Sequence, residues 1–118
     1  MAGSATTTVT NLAMFVGEQK QFIDTIYKAD GTTPQDLTGY GLAFRIIAYA
    51  DPSTVFVEKT TAGGGIDVPI PANGQAIINI NEVDTQDMIP TQYEYVVVRN
   101  DPSNYAVLSR GLLTLMRE

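Results

Sequence analysis

The stretch Tyr40-Gly41-Leu42-Ala43-Phe44-Arg45-Ile46-Ile47-Ala48-Tyr49 alternates from end to end, with Tyr40, Leu42, Phe44, Ile46 and Ala48 on one face and Gly41, Ala43, Arg45, Ile47 and Tyr49 on the other. A period of two marks a strand, because successive side chains leave the pleated backbone on opposite sides. Arg45 assigns the faces. A cation is rarely buried unpaired, so Leu42, Phe44 and Ile46 are predicted to point into a core. Working outward, residues 6–14 and 19–27 are predicted to be the first two strands, turning near Gly17, and residues 55–60, 75–80, 93–99 and 107–116 supply later ones. No helical stripe of twelve residues interrupts them. Residues 81–88 allow one helical turn, capped by Asn81. Short strands with turn residues at regular intervals predict an all-β sandwich.

The punctuation follows from residue chemistry. Asp30-Gly31 and Asn73-Gly74 are tight-turn pairs, because glycine accepts the positive φ that such turns need. Residues 32–38 cross between sheets, with Pro34 unable to donate to a ladder. Asp51-Pro52-Ser53 is predicted to turn the chain, Gly63-Gly64-Gly65 to form a flexible hairpin tip, and residues 66–70 to be a short edge segment. Residues 100–104 join the final hairpin. Gly111 sits inside the last strand and predicts a bulge or a close backbone approach there, bringing Leu108, Leu113 and Leu115 onto one core.

Composition limits the chemistry. The chain has 118 residues, so one domain is expected, with residues 1–15 as an N-terminal arm and first strand and residues 16–118 as the sandwich. Folding hides roughly two-thirds of the surface of a chain this long, enough for a core without disulfides. Seven Lys and Arg against thirteen Asp and Glu leave a net charge of −6, and His, Cys and Trp are absent. That removes Ser-His-Asp and Cys-His catalysis, disulfides and Cys or His zinc sites. The scattered cations argue against nucleic acid and against an anionic membrane surface, and no apolar run is long enough to span a bilayer. Neither a cationic start nor an apolar stretch opens the chain, so synthesis in the cytoplasm without a signal peptide is expected.

From Gly17 to Leu115 the chain resembles the immunoglobulin-like sandwich domains of tailed-bacteriophage virion proteins, and is similar to the N-terminal domain of baseplate upper proteins. The residues that carry the likeness are Asp30-Gly31, Pro34 and Asp36-Leu37-Thr38-Gly39 leading into the Leu42-Phe44-Ile46 strand. Asn73-Gly74, Tyr93-Glu94-Tyr95, and Leu108 followed by Gly111 and Leu113 complete it. The resemblance implies an immunoglobulin-like antiparallel β-sandwich of about seven strands. It implies a structural role in the virion, as a capsid decoration, neck, tail or baseplate subunit whose partners are other virion proteins and copies of itself. Unlike in the baseplate pattern, no receptor-binding domain is expected to follow Glu118.

Each candidate site has a plain structural counterpart. Asp36, Leu37, Thr38 and Gly39 read as a fold corner, with Leu37 plugging the sandwich end, and Tyr93 is placed for a tyrosine corner. Asp84 and Asp87, with Glu94, are the only arrangement that suggests paired carboxylates for glycoside hydrolysis, and such residues are ordinarily solvated. Asp30, Asp36 and Asp101 are candidate calcium ligands without an EF-hand spacing, and they read better as turn formers. Gly63-Gly64-Gly65 lacks the Lys-Ser or Lys-Thr of a phosphate loop. No catalytic residue, cofactor or metal is therefore expected. Tyr27, Tyr40, Tyr49, Phe56 and Tyr105 offer rings for a glycan, which makes a host-attachment module the alternative function, with Tyr49 and Tyr105 as its contacts. Thr6, Thr7 and Thr8 lie in a polar arm that is either a frayed terminus or a strand added to a neighbour's sheet edge.

Overall fold

The computed structural model describes residues 5, 6, 8–101 and 104–117. In chain order its elements are β1 (Ala5–Thr6), β2 (Thr8–Val9), β3 (Leu12–Phe15), β4 (Lys20–Thr25), β5 (Tyr27–Lys28), β6 (Leu42–Ala48), β7 (Asp51–Thr60), β8 (Ile66–Asp67), β9 (Gln75–Ile80), α1 (Glu82–Thr85), β10 (Gln92–Asp101) and β11 (Asn104–Met116). A 3-10 turn, Pro71–Asn73, precedes β9. The larger sheet runs β2-β11-β10-β6-β7, with β3 continuing the line of β2 along β11. A second sheet runs β4-β9-β8. Pairing is antiparallel throughout except at β2 and β3, which run parallel to β11.

The first strand divides between a two-stranded pairing with β5 and the larger sheet. Ala5 and Thr6 pair with Lys28 and Tyr27, whereas Thr8 and Val9 pair with Ser109 and Arg110. With the first strand parallel to the last and the two sheets face to face, the fold is an immunoglobulin-like β-sandwich. Leu42, Phe44 and Ile46 are buried as their alternation requires, against Val97, Leu113, Ile78 and Ile80. Phe44 lies 5.8 Å from the Tyr95 ring.

Local chemistry closes the ends. The Asn81 N–H donates to the Asp84 carboxylate at 2.7 Å, and the same carboxylate meets Lys59 Nζ at 2.7 Å, which ties α1 to β7. Thr85, fully buried on α1, accepts the Gly17 N–H at 2.9 Å and so fixes the turn after β3. At the corner before β6, Asp36 accepts the Thr38 N–H and hydroxyl, Leu37 is buried, and Gly39 takes φ 79°. The Tyr93 hydroxyl donates to the Ile89 carbonyl at 2.7 Å, four residues upstream.

Three turn expectations are corrected. The chain reverses at Tyr49-Ala50 rather than at residues 51–53: Ala48 pairs with Asp51, and Ala50 adopts φ 60°. Pro52 is tolerated inside β7 because residues 52–54 bulge between the Ala48–Asp51 and Ile47–Val55 pairs and are not required to donate. Residues 61–65 are not a hairpin tip, since β7 and β8 belong to different sheets and this segment crosses between them. The final strands extend to an Asp101–Asn104 pair, so only residues 102 and 103, outside the described residues, separate them. The bulge of the last strand falls on Leu108, because Val97 pairs with Ser109 and Val98 with Val107. This lets Leu108 and Ser109 both be buried. Of the two readings of Gly111, a bulge or a close approach, the structure shows the close approach: a Cβ there would overlap the Thr10 carbonyl, which Tyr95 engages through its hydroxyl at 2.8 Å.

Candidate contact face on the larger sheet

The outward side of β6, β10 and β11 is built from two cross-strand rows. In one, Ile47 lies opposite Glu94, which lies opposite Leu112. In the next, Arg45 and Arg110 flank Val96 from opposite sides. The rows floor a concave cavity of about 510 Å³, with Ile47, Val96 and Leu112 supplying apolar surface and Tyr105, Pro52 and Asn11 at its margin. A volume of several hundred Å³ suits one or two protein side chains or a small ligand.

The charges on this face are not equivalent. Arg45 Nε is bound to Glu58 Oε2 at 2.6 Å. Glu94 is occupied holding the β6–β7 reversal, its Oε1 accepting the Ala50 N–H at 2.8 Å. Arg110 is exposed and makes no ion pair among the described residues, so a single unneutralised cation borders the apolar floor. In a chain of net charge −6, that is a local reversal of sign.

The other candidates are placed as follows. Asp84 is tied to Lys59 and the α1 N-terminus while Glu94 faces the cavity, so those acids serve separate structural tasks. Asp30 accepts the N–H groups of Thr32 and Thr33 and the Thr33 hydroxyl, and these bonds hold its carboxyl down at about 2. Bonds from Thr38 lower Asp36 in the same way. Asp101 is lowered chiefly by the Gly41 N–H, with Arg99 adding to the effect. Among the described residues no group of three or more acidic side chains converges as a metal site.

The aromatic residues are dispersed rather than gathered into one platform. The Arg99 guanidinium stacks 3.8 Å from the Tyr40 ring centre, and Phe56 meets Tyr93 edge-on at 5.2 Å. Tyr49 and Tyr105 are both exposed, at 61% and 65%, but only Tyr105 lines the cavity. The main chain of Thr6 pairs with Tyr27 and that of Thr8 with Ser109, so both stand in edge strands of the chain's own sheets; Thr7 lies outside the described residues.

Val96, Leu112 and Arg110 were not marked by sequence reasoning. Each strand alone shows only that they alternate with core residues, and it takes the register across β6, β10 and β11 to put them side by side. Among known families and curated proteins, no family model and no curated sequence matches this chain.

Proposed function

We propose that the chain is a non-enzymatic structural subunit of a tailed-phage particle, made in the host cytoplasm and lodged in the virion, acting through protein–protein contacts made by the outer face of its larger sheet. The observation that carries this reading is the preformed apolar concavity of Ile47, Val96 and Leu112 bordered by the unneutralised Arg110. Its phage setting rests on the resemblance of the corner and turn motifs. Such a face is matched by a neighbouring subunit that presents an apolar side chain beside a carboxylate. Repetition of a modest contact around a particle then holds the subunit through multivalency.

The test is incorporation of tagged protein into particles assembled in the host that carries the genome. Wild type should be present in many copies, while Leu112→Asp and Arg110→Glu should be depleted at unchanged melting temperature. Wild-type protein absent from particles overturns the reading. A host-attachment role has one observation in its favour, the exposed Tyr105 ring at the same cavity. Glycan-array binding that disappears in Tyr105→Ala would replace the structural reading with that one.

A further inference from the structure

Most carboxylates of this chain are already committed. Among the described residues, Glu18, Asp30, Asp36, Asp51, Glu94 and Asp101 accept backbone N–H groups, Asp67 accepts the Asn79 side-chain amide, and Glu58 and Asp84 meet cations. Asp24 lines a cavity of about 220 Å³ beside Phe22, Ile78, Tyr95 and Val97, where burial pushes its carboxyl up to about 6. That leaves Glu82 and Asp87, both exposed and neither with an ion pair among the described residues.

These two acids accompany an apolar projection. Val83 and Ile89 are 67% and 74% exposed, the two most exposed large apolar side chains among the described residues. Past α1 the backbone stays helical at Gln86, with φ −58° and ψ −28°, and the Met88 N–H donates to the Thr85 carbonyl at 2.9 Å. Val83 and Asp87, four residues apart, therefore lie on one side of the turn. The projection is pinned at three points: Asp84 by Lys59, Thr85 by the Gly17 N–H and the Ile89 carbonyl by the Tyr93 hydroxyl. A segment fixed before it binds loses little freedom on binding. The other exposed aliphatic side chains lack this company in sequence. Ile23 adjoins Asp24, Ile70 stands between Pro69 and Pro71, and the acids nearest Val55 are Asp51, which holds Ser53 and Thr54, and Glu58, held by Arg45.

We infer that the occupant of the concave face is a second copy of this chain, which lays its Val83–Ile89 projection over Ile47, Val96 and Leu112 and sets Asp87 against Arg110. This rests on the reading of that face as a protein-contact surface. The two surfaces match in both respects: the face offers an apolar floor and an unneutralised cation, and the projection offers apolar side chains and an unneutralised carboxylate. The cavity of about 510 Å³ has room for one or two side chains. The projection belongs to the segment that links β9 to β10, whereas the cavity is floored by the outward side of β6, β10 and β11. Each copy thus gives with one surface and receives with another, so the contact is heterologous and copies join head to tail.

The experiment is sedimentation of the purified full chain over a concentration series reaching about 1 mM, with incorporation into particles read in parallel. Wild type should gain mass with concentration. Arg110→Glu and Asp87→Arg, each alone, set like charges against each other and should weaken association by about tenfold or more at unchanged melting temperature. Mixed in equal amounts they should associate again, because the altered surface of each meets the altered surface of the other, and the unaltered the unaltered. Val83→Asp should weaken association as well. A wild type that stays monomeric, single variants that associate as wild type does, or a mixture that stays apart overturns the inference. Incorporation into particles without self-association overturns it and leaves the contact-face reading standing. Self-association that follows this charge pattern, with no protein in particles, supports it and overturns the phage reading alone.

Discussion

The Tyr95 hydroxyl of β10 reaches past Gly111 of β11 to the Thr10 carbonyl at 2.8 Å, joining residues 85 positions apart on either side of the last strand. The bond is partly buried, so its loss leaves an acceptor poorly satisfied. Tyr95→Phe should lower stability by about 1–2 kcal/mol, read as a shift in the urea midpoint with unchanged m. An unshifted midpoint would show that water replaces the hydroxyl at no cost.

Gly111→Ala is expected to be worse. The new methyl has no room against the Thr10 carbonyl and crowds the Tyr95 ring, so the first strand must move away from β11. Overpacking of this kind costs about 1–3 kcal/mol, and here it acts on backbone, which yields less readily than a side chain. The melting temperature measures it, and amide shifts confined to residues 8–15 and 109–113 would place the damage.

Stability against pH should pass through a maximum between about pH 4 and 5. Asp30, Asp36, Asp51 and Asp101 are held below the usual carboxylate range by hydrogen bonds, so the stability they contribute is present above about pH 4 and lost as pH falls. Asp24 acts in the opposite sense, its contribution being present below about pH 4 and lost as pH rises to about 6. A shift from 3.8 to about 6 corresponds to about 3 kcal/mol as an upper bound. Asp24→Asn should therefore gain about 1–2 kcal/mol over wild type at pH 7, the amide's own unmet hydrogen bonds offsetting the rest, and little at pH 4. Urea titrations of both proteins across this range check the crossing.

At the other end of the sandwich, Tyr93→Phe removes the hydroxyl that pins the Ile89 carbonyl while leaving the ring against Phe56. A loss of about 1 kcal/mol is expected. Asp84→Ala should cost more, about 2 kcal/mol, because it unties both the Asn81 N–H and the largely buried Lys59 ammonium. Chemical denaturation of the pair tests the order.

Much of the sandwich is legible in the chain itself, because the evidence for it is local. The alternation around Phe44 needs no partner strand to be seen, and Asp36 with Thr38 and Gly39 closes a corner using bonds within two residues. Asn73-Gly74 likewise carries its turn in its own backbone preference, with Gly74 at φ 68°. Composition removed His, Cys and Trp chemistry before any fold was considered.

What the tertiary structure alone decided depends on register, which no single strand encodes. The bulge falls on Leu108, because the pairing of Val97 and Val98 skips a residue there, and Gly111, where the local signal left a bulge and a close approach as alternatives, makes the close approach. Arg45 and Arg110 face each other across Val96 only after three strands from distant parts of the chain align. Asp24 reads as one more surface acid until Phe22, Ile78, Tyr95 and Val97 are brought around it, since burial is a property of what packs beside a residue rather than of the residue. Periodicity names the faces of each strand, and only the stacking of one strand against another says which side chains meet.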